Sequence, residues 1–327
     1  MKRNILFIRG IPDDRKITVT SLPPKVGMLY QITGSANISN FVDHNLISPW
    51  IITFDIDPKQ KIDAITDIHA VFNEISDPDT HKITLLKTEA LYKAFADKVP
   101  FFNAPSSIAK TTRDNIYNLL HEVDGLHVPK TVKLQPKSAS DVYDTINNEG
   151  FDFPVIFRKA GDHNGISTLL ITDKSEPFYA FPLDGRDYYL TQFVEYADND
   201  STYVKYRLIV VDGEVFLRHA LFGDSWMMHS RSQFGKEKSK PYKMSVADRF
   251  TKEIKPLIQP TVTEIHQRLG LDYFGIDCHI DDKMNLLIFE VNATMNVFIE
   301  LEESVFKDLA EMARQALMKM LISKRNN

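Results

Sequence analysis

Cysteine is nearly absent from this chain: Cys278 is the only one in 327 residues. An internal disulfide is therefore excluded, and a reducing cytoplasm is the simplest setting. No run of about 18 apolar residues occurs, so no membrane span is expected. The apolar stretch Ile5 to Ile8, after Lys2-Arg3-Asn4, is too short for a signal-peptide core and reads as a first buried strand. Excess positive charge is missing as well. The formal net charge of -5 gives no basis for a non-specific grip on nucleic-acid phosphates. No internal repeat or low-complexity tract stands out. What is present is ordinary: 43% hydrophobic and 25% charged residues, compatible with a globular protein whose core is of normal size. The length suggests roughly two domains, or three small ones.

Apolar runs and breakers set a boundary near residue 105. In the first region the spacing predicts strands at Ile5–Ile8 and Trp50–Phe54 and a helix over Thr84–Ala96. Pro100 and Pro105 mark its end; its role is a scaffold or substrate domain without a readable motif. Next, Thr111 or Thr112 is expected to cap a helix bearing Ile116, Leu119, Leu120 and Val123, closed by Gly125 and Pro129. A second helix is expected over Ser140–Asn147, with strands at Pro154–Arg158, Thr168–Ile171 and Tyr188–Val194. Asp212-Gly213 is a hairpin turn between Val204–Val211 and Glu214–Leu221. A loop is expected from Asp224 to Ser239, a helix over Thr261–Leu269, and an amphipathic helix over Glu302–Leu321 with Phe306, Leu309, Ala313, Leu317 and Met320 on one face. Strands mixed with helices imply an α/β or α+β architecture, and the tight hairpins imply a largely antiparallel C-terminal sheet.

The most informative segment is LDYFGIDCHIDDKMNLLIFEVNATMN, residues 271–296. It reads as two strands, Phe274–Ile280 and Leu286–Val291, around a turn near Asp282 or Lys283. Glu290 and Asn292 are two apart and share a face. Antiparallel pairing brings Asp277 within a residue or two of Glu290. Carboxylates inside apolar strands are costly unless partnered. Three oxygen donors from neighbouring strands suit a hard cation such as magnesium, which keeps waters and phosphate oxygens as its other ligands. The bland alternative is a pair of ordinary polar strand residues. No His or Cys spacing here points to zinc, and His279 reads as structural.

Cations cluster upstream. Arg158 and Lys159 end one strand, and Gly161, His163 and Gly165 lie in the polar loop after it; such a loop can wrap phosphate oxygens with backbone N–H groups. Lys205 and Arg207 share a strand face, and Arg218 lies across the hairpin turn, where positive charge can stabilise a transferring phosphoryl group. Taken alone, these features are equally those of plain turns and a solvated sheet face.

Taken in order, the strand with a terminal cation, the Gly/His loop, QFVEY, KYR, GLDYFGID and FEVNATMN resemble the ATP-grasp superfamily, specifically the glutathione synthetase and RimK-like carboxylate–amine ligases. The resemblance spans about residues 103–296 and is nearest to RimK-type domains often found beside tetratricopeptide repeats. It implies an ATP-grasp fold and a division into 1–105, 106–190 and 191–327: an N-terminal pre-ATP-grasp-like domain, a small lid subdomain and a C-terminal subdomain with an antiparallel sheet. It implies ATP as cosubstrate and two magnesium ions, exchangeable for manganese, held by Asp277, Glu290 and Asn292. By position, Arg158 matches the nucleotide-binding lysine of the lid strand, and Arg113 falls near the other phosphate-binding lysine. His163 and Gly165 belong to the phosphate loop. Gln192, Phe193 and Val194 match the adenine linker, Glu195 or Asp198 the ribose partner, and Arg207 the arginine facing the reacting phosphate and carboxylate.

Two departures stand out: arginine replaces lysine at the phosphate positions, and the arginine that precedes the metal aspartate in D-alanine ligases is absent. Arg207 or Arg218, beside Lys205, would supply that charge. Asp224-Ser225-Trp226 and His229 match a motif of the nearest relatives and are placed near the acceptor. The resemblance implies that an amino-acid, peptide or small-molecule carboxylate is activated as an acyl-phosphate and joined to an amine, by an enzyme that is often a homo-oligomer. A small-molecule kinase and a non-catalytic nucleotide-binding regulator on the same fold are the alternatives.

Overall fold

The computed structural model describes residues 2–21, 28–32, 34–55, 57, 67–162, 165, 167–174, 181–198, 200–228, 234–295 and 305–323. The N-terminal region forms a parallel sheet ordered β4-β1-β5-β6, from β1 (Arg3–Gly10), β4 (Ile47–Phe54), β5 (Ala70–Asn73) and β6 (Phe101–Phe102). A small hairpin of β2 (Thr18–Ser21) and β3 (Met28–Gln31) lies between. Ile5 through Ile8 are all fully buried, because β1 runs inside a sheet covered on both faces, where an apolar run replaces alternation. Trp50 and Ile51 of the edge strand β4 are exposed. Helix α1 covers Lys82–Phe95, and α2 covers Pro105–Ile108 after the predicted Pro100–Pro105 break.

Helix α3 (Arg113–Leu120) follows. Thr112 is its cap residue, but its hydroxyl makes no capping bond and is buried without a partner. The predicted side-chain cap is therefore not formed, and Val123 packs beyond the helix end rather than within it. Ile116, Leu120 and Val123 nevertheless join the same core as the C-terminal sheet. After β7 (Leu126–His127) comes the lid: β8 (Thr131–Leu134), α4 (Ala139–Glu149), β9 (Val155–Lys159), β10 (Thr168–Ile171) and β11 (Tyr188–Gln192), in an antiparallel sheet ordered β10-β9-β11-β8. A capping box between Ser138 and Asp141 starts α4, and Gly150 at φ 65° ends it. Val142, Ile146, Phe157 and Leu190 belong to the lid's own core. The other face of its sheet, with Thr131, Ile156, Arg158, Tyr189 and Thr191, fronts a cavity.

The C-terminal sheet runs β13-β12-β14-β15-β7, from β12 (Tyr203–Val211), β13 (Glu214–Gly223), β14 (Tyr273–Ile280) and β15 (Leu286–Ala293). It is antiparallel except for β7, which pairs parallel to β15. One face, including Leu208, Val210, Leu217, Phe274, Ile276 and Cys278, packs on α3 and on a long helical run. That run is α5 (Lys236–Arg249), a π-helical segment (Phe250–Ile254) and α6 (Lys255–Leu269). The expectations of a loop to Ser239 and a helix only from Thr261 are thus corrected. Pro241, Pro256 and Pro260 argue against helix locally, but Phe250, Ile254, Ile258, Val262 and Ile265 present a buried stripe that overrides them, and the widened π turn lies just ahead of Pro256.

The sheet's other face is divided. Ile209, Val211, Phe216 and Tyr273 pack in one core with the N-terminal sheet and α7 (Lys307–Ile322). Farther along the same strands the face opens as a cavity floor. The first residues of the predicted terminal helix, 302–304, lie outside the described residues. Within them, no helix is long and apolar enough to cross a membrane.

Candidate active site

A cavity of about 890 Å³ lies between the lid sheet, the floor of the C-terminal sheet and the loop after β5. Strand register builds its floor. His219 on β13 stands opposite Arg207 on β12, Arg207 opposite Asp277 on β14, and Asp277 opposite Glu290 on β15. One transverse row therefore carries all four, with Lys205 two residues from Arg207 on the same face.

Two β-bulges create this row. Between β14 and β15 the register shifts at Asp277/Cys278. The core residues of β15 are Leu286 and Ile288 before the shift, and Val291 and Ala293 after it. Phe289 and Glu290 are thereby turned to the cavity in succession, with Asn292 beyond. Between β12 and β13 the shift comes at Arg207/Leu208; core residues pass from Val215 and Leu217 to Ala220 and Phe222, and His219 reaches the cavity. A bulge re-aims side chains in this way because it breaks the two-residue period of the strand.

Asp277 is gripped from one side. Lys205 Nζ is 2.6 Å from its carboxylate, and Arg207 donates from Nε at 2.7 Å and a terminal nitrogen at 2.8 Å. Burial pushes this carboxyl up, but Lys205 and Arg207 outweigh it and hold it well below the usual carboxylate range. Glu290 pairs with Arg113 at 2.8 Å. Burial raises its carboxyl too, and Arg113 and Arg158 together bring it below the ordinary value. Burial and the neighbouring Arg113 lower Arg158 to about 10. Arg158 donates to the Asp162 carbonyl, while its Nε is buried without a partner.

Of the predicted residues, Arg113, Arg158, Gly165, Gln192, Phe193, Val194, Lys205, Arg207, Asp277, Glu290 and Asn292 all line this one cavity. Arg218, Glu195 and Asp198 do not line it. Glu195 is turned back on its own chain, accepting from the backbone N–H groups of Tyr196 and Ala197. His163 and His229 lie outside the described residues. Trp226, expected near the acceptor, stands against Phe193 with ring centroids 5.6 Å apart, at the linker end of the cavity; Tyr196 donates to its carbonyl. Several lining residues, Asp79, Tyr189, His219 and Phe289, carry no motif or spacing that marks them in the sequence. Asp79 comes from the N-terminal region and accepts from Lys133 of the lid at 2.6 Å and from Tyr189 at 2.7 Å.

The donor set fits a nucleotide's phosphates with a hard cation. At the floor, Arg113, Arg158, Lys205 and Arg207 surround Asp277 and Glu290; of the other lining acids, Asp79 pairs with Lys133 and Asp162 with Lys159, which leaves the floor cations to meet a polyphosphate. Arg158, whose Nε is buried without a partner, lines the same space. Two carboxylates and the Asn292 carboxamide supply oxygen only, as magnesium prefers. Among the described residues no group of three His, Cys, Asp or Glu residues forms a denser metal cluster.

Solved structures of similar fold span nearly the whole chain. D-alanine–D-alanine ligase from Bacillus anthracis matches with a TM-score of 0.56 and 14% identity, over 98% of this chain and 96% of that one. A RimK domain ATP-grasp protein from Sphaerobacter thermophilus DSM 20745 matches with a TM-score of 0.52 and 11% identity, over 97% and 98%. The ATP-grasp ligase PsnB, complexed with minimal precursor, Mg and ADP, matches with a TM-score of 0.50 and 15% identity, over 97% of each chain. No curated protein sequence matches the chain. The RimK-like ATP-grasp domain model matches residues 117–312, a span that holds Asp277, Glu290 and Asn292 and most of the cavity lining, and this chain belongs to the RimK-like ATP-grasp domain family.

Proposed function

We propose that the protein is an ATP- and magnesium-dependent ligase that joins a carboxylate to an amine through an acyl-phosphate. The observation that carries this reading is the row Arg207–Asp277–Glu290 across three adjacent strands, with Arg113 and Arg158 facing it from α3 and the lid. Arg113 and Arg158 bind phosphate oxygens, and the linker Gln192–Val194 receives the base. Magnesium held by Asp277, Glu290 and Asn292 would spread the phosphates' charge and favour in-line transfer. Lys205 and Arg207 hold the reacting carboxylate near the γ-phosphate and stabilise the charge that builds up between them. The lid sheet excludes water, against which an acyl-phosphate must be protected. An amine then displaces phosphate and leaves an amide.

The substrates belong to the amino-acid, peptide or small-molecule carboxylates and amines. The test is a pairwise panel of such compounds with Mg-ATP, following ADP release and the product mass. An amide with ADP supports the ligase. A phosphorylated product without coupling would replace it with a kinase, and binding of Mg-ATP without ADP from any pair would replace it with a nucleotide-binding regulator. Glu290→Ala should lose at least about 100-fold in turnover while staying folded, since a metal ligand acts mainly in the transition state; a fully active variant removes the metal assignment.

A further inference from the structure

The transverse row acts as a ruler. Adjacent strands are about 4.8 Å apart, so His219 stands about 10 Å from Asp277 across the sheet. The metal-type donors Asp277 and Glu290 occupy one end, the cations Lys205 and Arg207 the middle, and His219 the other end. If phosphoryl transfer takes place over the middle, the acyl carbon and the incoming amine lie on the His219 side. His219 lines the cavity, and among the described residues no hydrogen bond occupies either ring nitrogen. An imidazole turned into a cavity by a bulge and held by no structural bond is free to act on a ligand.

We propose that His219 is a catalytic residue of the amide-forming step, touching the acceptor amine and carrying one proton from its nitrogen to the departing phosphate. The inference rests on the acyl-phosphate reading above. The amine enters as the free base, its lone pair forms the C–N bond, and the carbonyl π electrons move to oxygen. The nitrogen is then positive and acidic, and His219 takes one of its protons. The carbonyl re-forms, the C–O bond to phosphate breaks, and phosphate leaves with the electron pair. The imidazolium protonates that phosphate and returns to its neutral form.

The electrostatics agree. Burial, then Arg207 and Arg218, lower His219 to about 3; Asp277 opposes them, and Lys205 adds to the lowering. The ring is thus in its proton-accepting form at neutral pH. Negative charge on the leaving phosphate beside Arg207 and Lys205 offsets those cations just when the imidazolium must exist.

The test separates the two half-reactions. Hydroxylamine is largely unprotonated at neutral pH and traps an acyl-phosphate as a hydroxamate without help from a base. Wild-type protein and His219→Gln are given Mg-ATP, hydroxylamine and each carboxylate of an amino-acid and dipeptide panel, then the same carboxylates with amines. His219→Gln should form hydroxamate within about threefold of wild type and lose about 100-fold or more in amide formation. Its Mg-ADP affinity and melting temperature should match wild type, as befits an intact fold. Equal losses in both assays, or no loss of amide formation, overturn the role of His219 alone. Absence of hydroxamate from the wild type with every carboxylate overturns the acyl-phosphate reading, and this inference with it.

Discussion

Asp277→Ala makes two demands of the site electrostatics that pull in opposite directions. The side chain is only 1% exposed and is ion-paired with both Lys205 and Arg207. Breaking a buried ion pair from one side costs about 3–5 kcal/mol. Lys205 and Arg207 keep 17% and 30% of their side-chain surface exposed, so cavity water relieves part of the penalty, and about 2–3 kcal/mol remains. Urea unfolding monitored by circular dichroism should show this as a lower midpoint with an unchanged slope. The substitution also removes one negative charge from the floor. At an effective dielectric of about 20, a charge roughly 7 Å from a phosphate is worth about 2 kcal/mol before salt screening. Metal-free tripolyphosphate should therefore bind the variant about ten- to thirtyfold more tightly than wild type. Mg-ATP should bind more weakly, because a metal ligand is gone. Titration calorimetry with the two ligands reads both shifts. If they have the same sign, or if stability does not change, the pairing and the metal role assigned to Asp277 are refuted.

Asp277 and Glu290 are held below their ordinary values of 3.8 and 4.5. An acid depressed by folding contributes stability above its unfolded value and loses it as pH falls through the folded one. Stability should thus stay level from neutral pH to about 5 and fall below about 4, and Asp277→Asn should flatten that acid limb in pH-dependent urea unfolding. At Gly161, φ is +77° and an added Cβ would lie 2.5 Å from Thr80 Cγ2, where the lid loop meets the N-terminal region. Gly161→Ala should cost more than about 1 kcal/mol in the same assay. Adding Thr80→Ser removes the methyl and should recover the steric part only; full recovery would mean that the backbone angle costs nothing.

Much of the architecture could be read from the chain. The paired strands around Asp212-Gly213 and Asp282-Lys283 formed as expected, because hairpins depend on local turn chemistry and alternation. Asp277 and Glu290 are directly opposite, closer in register than the turn alone predicted. The continuous helix from Lys236 to Leu269 was hidden, because its prolines speak against helix while the apolar stripe that sustains it matters only once a sheet lies beneath.

The sequence by itself determined the residue types of the site and their order along the chain: oxygen donors on one hairpin, cations on the strands and helix before it. Only the tertiary structure decided which face each side chain takes. The bulges beside Glu290 and His219 are register shifts between strands, invisible in either strand alone; one turns Phe289 and Glu290 in succession toward the cavity, and the other brings His219 to it. Asp79 likewise reaches the site by the packing of the N-terminal sheet against α7 and the lid, a long-range contact that no local pattern encodes.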